Sequence, residues 1–190
     1  MFFGRGLRDA AHSGSPHHRP ARPFGSCRRP RPFPALKKVC SRRALVRLLR
    51  KFRRAGKKVV FTNGCFDLLH AGHVTYLEKA RKFGDLLVLG LNSDASVRRI
   101  KGPGRPVNPE TDRLRVMAAL EAVDFVTLFS ETTPLRLICE IRPDVLVKGA
   151  DWRESEIVGA REVKSWGGRV KRIRLLPGRS TTRILKEIGN

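Results

Sequence analysis

Lys58-Val59-Val60-Phe61-Thr62-Asn63-Gly64-Cys65-Phe66-Asp67-Leu68-Leu69-His70-Ala71-Gly72-His73-Val74 is the stretch on which the fold turns. Val59-Val60-Phe61 is a short continuous apolar run, the pattern of a strand buried on both faces. Gly64 gives the strand exit a tight turn and open space, and Val74 to Phe83 reads as helix. His70 and His73, three apart at the mouth of that helix, lie on the same side of its first turn. Exposed amide N–H groups there favour an anion, and Gly72 lets backbone or phosphate approach closely. An isolated H-x-G-H is compatible with a metal half-site or with two ordinary surface residues. The order strand, Gly turn, Asp, H-x-G-H, helix favours two imidazole donors facing a polyphosphate whose charge grows during reaction.

Outward from this stretch, strands and helices alternate. Leu86–Leu91, Phe125–Phe129, Val145–Val147 and Val170–Leu176 read as further strands. Helices are expected near Ala95–Arg99, over about ten residues ending at Ala122, over Pro134–Ile141, Glu156–Trp166 and Thr181–Ile188. Upstream, Ser41 is a plausible N-cap for an amphipathic helix with Leu45, Leu48, Leu49 and Phe52 on one face and arginines on the other, stopped by Gly56. Docking of its apolar stripe on the domain is favoured over a membrane or RNA role. The pattern predicts a single α/β domain, a Rossmann-like doubly wound parallel sheet of about five strands. Such sheets bind ligands at the carboxyl ends of their strands, near the point where strand order reverses.

The chain has 190 residues, 41% of them apolar, with 40 Lys and Arg against 17 Asp and Glu. That suits one domain with a core and leaves no room for a second catalytic domain. No run reaches the roughly 20 apolar residues of a membrane span. Four scattered cysteines without a C-x-x-C pair indicate neither a zinc site nor a disulfide framework, and a reducing, cytoplasmic setting is expected. Residues 1–38 hold nine Lys and Arg, one acid and six of the twelve prolines, and read as a disordered basic tail ahead of a domain over 39–190. An anion-attracting arm, an Arg-rich transit-like segment, or a stretch upstream of the true start all remain open for it.

Gly64-x-Phe66-Asp67-x-x-His70-x-Gly72-His73 resembles the signature of the cytidylyltransferase-like nucleotidyltransferase superfamily. The likeness continues through Gly90-Leu91-Asn92-Ser93-Asp94, Ser96 to Gly102, Arg113, Lys148-Gly149-Ala150-Asp151-Trp152 and Gly178-Arg179-Ser180-Thr181-Thr182. Within the superfamily it is most similar to the adenylyltransferases of D-glycero-β-D-manno-heptose 1-phosphate in lipopolysaccharide core synthesis. This implies ATP (with Mg²⁺) and a sugar 1-phosphate as substrates, a separate sugar kinase and a homodimer, with no membrane or specific nucleic-acid partner. The resemblance implies catalytic roles for His70, His73 and Lys101. It implies nucleotide binding by Thr62, Asn63, Gly64, Phe66, Asp67, Gly72, Lys148, Gly149, Asp151, Trp152, Arg179, Ser180 and Thr181. Arg113 and Asp94 are expected on the acceptor side, and no protein-held metal is expected.

The bland reading of each residue stands beside this: Lys101 as a solvated lysine, Asp67 as a turn carboxylate, Ser180 as an N-cap, Trp152 as a core or rim aromatic. Related cytidylyltransferases carry an arginine where this chain has Leu175, a departure that Arg179 is placed to offset. Two rival functions remain: a cytidylyltransferase acting on glycerol 3-phosphate or a related small phosphate, and a basic nucleic-acid-binding module.

Overall fold

A computed structural model describes residues 35–189 of the chain. Five strands form one parallel sheet in the order β3-β2-β1-β4-β5: β1 (Val59–Gly64), β2 (Leu86–Asn92), β3 (Phe125–Phe129), β4 (Val145–Gly149) and β5 (Arg169–Ile173). The chain runs outward from β1 to β2 and β3, then crosses back to lay β4 and β5 on the other side of β1. Strand order therefore reverses between β1 and β4, and their carboxyl ends flank a crevice.

Alternation along each strand sends side chains to opposite faces. Val60, Leu87, Leu89, Val126 and Val145 pack with Leu77 and Ala80 of α2 (Ala71–Arg81) and Met117 and Ala118 of α4 (Glu110–Ala119). Val59, Phe61, Val88 and Leu146 pack on the other face, against α1 (Arg42–Arg54), α5 (Leu135–Ile141) and α6 (Ala160–Ser165). Two short helices complete the described set, α3 (Asp94–Lys101) after β2 and α7 (Thr181–Glu187) at the end. The apolar stripe of α1 is docked, with Leu45 and Leu49 fully buried, while Arg42 reaches Glu131 at 2.7 Å and Arg53 donates to the Arg142 carbonyl at 2.7 Å.

Register is pinned at the amino ends of the strands by three aspartates. Asp85, Asp124 and Asp144 accept the N–H groups of Lys58, Leu87 and Val59 on neighbouring strands, at 2.8, 2.7 and 2.7 Å. These bonds satisfy the open amino end of the sheet and leave its carboxyl end for ligands.

The elements follow the expected order, with shifted bounds. Helix α2 starts at Ala71, three residues ahead of the expected Val74, because an extended His70 (φ −141°, ψ 166°) serves as its N-cap. Helix α4 stops at Ala119, not Ala122, where Leu120 turns extended. The helix expected over 156–166 divides into a 3-10 turn, Glu154–Glu156, and α6, because Gly159 takes a left-handed conformation (φ 86°) between them. Strand β5 ends at Ile173, short of Leu176, and the residues beyond it turn toward the crevice.

The expected tail lies outside the described residues as far as position 34. Its last four residues, Ala35–Lys38, form a 3-10 turn, and Lys38 Nζ donates to the carbonyls of Leu120 and Val123 at 3.0 and 2.7 Å. Among the described residues, no helix is long and apolar enough to cross a membrane.

Candidate active site

A cavity of about 440 Å³ opens at the carboxyl ends of β1 and β4, where strand order reverses. Its floor is the β1 exit. Gly64 is required there by contact, since a Cβ would stand 2.8 Å from the Phe66 ring. Phe66 itself is held at φ 43°, a left-handed conformation that costs a non-glycine residue of order 1 kcal/mol or more. In return its ring packs against His73, with centroids 5.0 Å apart.

His70 and His73 lie stacked, ring centroids 3.8 Å apart and planes 18° from parallel. The Nδ1 atoms of both are buried with no hydrogen-bond partner among the described residues. Burial and the Arg179 charge lower the pKa of His70. Burial first and then His70 push His73 down to about 4, with the Leu68 backbone opposing. Both rings are therefore neutral near pH 7, because two imidazolium ions stacked this closely would repel. Helix α2 begins between them, and the N–H groups of Ala71 and Gly72 take no partner within the described fold. Gly72 admits no side chain without displacement: a Cβ would meet His70 Nδ1 at 3.0 Å and Arg179 Cβ at 3.2 Å. Two neutral rings and a positive helix end thus present donors to an anion.

Against the start of α2 lies the start of α7, where Arg179 Cβ stands 3.2 Å from the place a Cβ of Gly72 would take. Ser180 is its N-cap, accepting from the Arg183 N–H at 3.1 Å, and Thr181 Oγ1 donates to the Leu68 carbonyl at 3.3 Å. Arg179 and Thr182 complete that wall. From the β4 side, Lys148 Nζ donates to Asn63 Oδ1 at 2.6 Å, a bond that bridges the point of strand reversal. Burial pushes Lys148 down to about 8 while Asp151 opposes the shift, so its charge persists at pH 7. Gly149, Asp151 and a half-exposed Trp152 form the adjoining rim.

The third wall is the loop after α3. Asp67, with its side chain 1% exposed, accepts Arg105 Nε at 2.7 Å and the N–H groups of Val107 and Asn108 at 2.9 Å. Burial works to raise its pKa, but the Asn108 and Val107 amides and Arg105 outweigh that and hold the carboxyl below its usual range. Asp67 thereby braces the loop that carries Arg105 beside Lys101.

The structure brings His70, His73, Lys101, Asn63, Gly64, Phe66, Asp67, Gly72, Lys148, Gly149, Asp151, Trp152, Arg179, Ser180 and Thr181 onto one cavity. Three expected residues are not on its wall. Thr62 is fully buried, its hydroxyl 2.8 Å from Tyr76 OH, because a mid-strand side chain at that position faces the core. Arg113 is enclosed and donates to the carbonyls of Asn108, Cys65 and Asn92 at 3.0, 2.7 and 2.9 Å, and to Asp94 Oδ1 at 2.6 Å. Arg113 and Asp94 therefore join the β1 exit, the β2 exit and α3, and neither lines the cavity. Arg105, Tyr76, Ile100, Leu175, Leu176 and Cys65 line the cavity and were not among the expected binders. For Arg105 a signal was present: an arginine set within the Gly-Pro-Gly-Arg-Pro turn of the same loop as Lys101.

Residues 61–187 match the family described as cytidylyltransferase-like. Among curated proteins, the chain is 58% identical over 153 residues to the bifunctional protein HldE of Methylobacillus flagellatus. It is 62% identical over 139 residues to that of Magnetococcus marinus. These matches cover 80% and 73% of this chain but 31% and 28% of those proteins, so the chain spans about a third of their length. A lipopolysaccharide core biosynthesis protein from Thermoplasma volcanium superposes with a TM-score of 0.53 at 32% identity, covering 64% of this chain and 98% of that one. A pantoate-β-alanine ligase from Francisella tularensis, at TM-score 0.51 and 14% identity over 77% of this chain and 75% of its own, shares the fold alone. With the histidine pair, the reversed strand order and the family match in agreement, the chain belongs to the cytidylyltransferase-like family of nucleotidyltransferases.

Proposed function

We propose that the protein transfers AMP from ATP to D-glycero-β-D-manno-heptose 1-phosphate, releasing pyrophosphate and forming ADP-heptose for lipopolysaccharide core synthesis. The stacked imidazoles at the N-terminus of α2, with Arg179 and the start of α7 beside them on one cavity, carry this reading. The likeness to a lipopolysaccharide core biosynthesis protein supports a core sugar phosphate as the acceptor.

The acceptor phosphate is already ionised, so its attack on the α-phosphate of ATP needs no strong base. Alignment and stabilisation of growing negative charge then account for most of the rate. His70, His73 and the first N–H groups of α2 donate to the triphosphate as charge shifts to the leaving pyrophosphate. Arg179 and the α7 N-terminus hold its outer phosphates, and Lys101 bridges the reacting groups. Lys148, Asp151 and Trp152 border the base and ribose. Among the described residues, no three His, Cys, Asp or Glu converge as a metal cage, and the Asp67 carboxylate is already occupied. The donor set fits Mg²⁺ carried by phosphate oxygens and water, with Asp151 as the available protein carboxylate. Bound there, Mg²⁺ would neutralise part of the triphosphate charge. A separate sugar kinase supplying the 1-phosphate, a homodimer and a cytoplasmic setting belong to the same proposal.

Pyrophosphate release with ATP or CTP, each paired with heptose 1-phosphate or glycerol 3-phosphate, tests it. Turnover with ATP and heptose 1-phosphate alone is expected. Consumption of CTP with ATP ignored overturns the adenylyl assignment, and a preference for glycerol 3-phosphate overturns the acceptor.

A further inference from the structure

An acceptor phosphate needs a cation not already taken up by the scaffold. Arg113 is enclosed and bound to three carbonyls and Asp94. Arg105 is placed differently. Its Nε donates to Asp67 Oδ2 at 2.7 Å, while neither Nη makes a hydrogen bond within the described residues. The side chain is 16% exposed and forms part of the cavity wall. A guanidinium anchored through Nε presents its two Nη groups as a planar fork, the geometry that matches two oxygens of one phosphate.

Its aim is fixed by neighbours. The Asp67 carboxylate also takes the Val107 and Asn108 N–H groups, Asn108 Nδ2 reaches the Asp67 carbonyl at 3.0 Å, and Arg113 Nε holds the Asn108 carbonyl at 3.0 Å. The loop is thus tied just after Arg105, at Val107 and Asn108, and at Arg105 itself through Nε. Burial raises the pKa of the nearby Cys65 thiol, and Lys101, Arg113 and Arg105 draw it down, which marks three cations around one point of the wall. With Arg113 engaged, Lys101 and Arg105 remain as the cations on the α3 side of the cavity, while His70, His73 and Arg179 line it from α2 and the start of α7.

We propose that Arg105 binds the phosphate of the acceptor, with its two Nη groups on phosphate oxygens and its Nε braced by Asp67. This rests on the reading that a phosphate attacks the nucleotide, and it adds the residue that selects for that phosphate. Asp67 is a positioning residue in this arrangement.

Arg105→Gln and Arg105→Lys, compared with the wild type, test the assignment by varying ATP and heptose 1-phosphate separately and by recording thermal melts. Arg105→Gln is expected to raise the acceptor KM by about tenfold or more, as loss of charge-assisted bonds implies, with the ATP KM unchanged. Arg105→Lys should fall between, since a point charge replaces a fork. An unchanged acceptor KM in Arg105→Gln, or a rise confined to ATP, overturns the proposal. Where Arg105→Gln melts early, Arg105→Lys decides by the same criterion. Calorimetric binding of heptose 1-phosphate in the presence of α,β-methylene-ATP separates this from the reaction itself. Wild-type binding that Arg105→Gln abolishes supports the site even if no turnover occurs, whereas equal binding by both proteins, or none by the wild type, overturns it.

Discussion

His73 shows how a single side chain acquires its chemistry from its surroundings. Alone it would titrate near 6.5, but burial and a ring stacked 3.8 Å away bring it to about 4. Its neutral form is favoured in the folded protein, so this contribution to stability is complete above about 6.5 and is lost as pH falls toward about 4. A bound triphosphate reverses the balance by favouring the charged ring. Nucleotide binding near pH 6 should therefore take up protons and strengthen as pH falls, measurable by calorimetry in two buffers of different ionisation heat. His73→Ala should lose part of that uptake. The same substitution should lower kcat by about 10²–10³, the range for removal of one preorganised donor, with far-UV circular dichroism unchanged. A His73→Ala enzyme with normal turnover would remove the imidazole pair from the reaction.

At the scale of elements, the site depends on loops fastened to strand ends. Arg113 joins the Cys65 and Asn92 carbonyls, at the exits of β1 and β2, to Asn108 in the loop after α3 and to Asp94 at the start of α3. Arg113→Met leaves those acceptors without a partner and should destabilise the fold by about 3–5 kcal/mol, the cost of breaking a buried pair. In a chain of this size that lowers Tm by on the order of 10 °C. A direct acceptor role predicts the opposite pattern: an unaltered melt and a raised acceptor KM. The separation of roles between Arg113 and Arg105 is thus open to a melting curve and a substrate titration.

At the scale of the molecule, the described residues that line the cavity all lie between Asn63 and Thr182. A chain beginning at Ala35 should keep its kcat/KM and Tm, because it retains the Lys38 bonds to Leu120 and Val123 and the Val39 pairing with Val126. Removal through Val39 should lower Tm while leaving the substrate KM values in place. Steady-state kinetics and a melt on the two truncations check this; a loss of turnover in the shorter deletion would assign the basic segment a part in catalysis. Much of the excess positive charge lies away from the cavity, as on the exposed Arg43, Arg47 and Arg50 of α1. There it favours encounter with anions in general and gives no selectivity among them.

Local pattern alone determined the alternation of buried strands and helices, and with it a parallel sheet covered on both faces. The five strands follow from runs such as Leu86–Leu91, which admit few other placements once both faces must be dry. The histidine pair was equally legible, because spacing three at a helix mouth fixes two side chains on one side whatever the rest of the chain does. Only the tertiary structure decided which cations face the cavity. Arg113 and Arg105 are both arginines near the same loop, yet one is enclosed by carbonyls of distant strands and the other, among the described residues, is held by Nε alone. Thr62, likewise, sits beside Asn63 in sequence but turns into the core, since adjacent residues of a strand face opposite ways. Whether a polar side chain meets ligand or scaffold depends on partners dozens of residues away, and a linear sequence carries no local record of them.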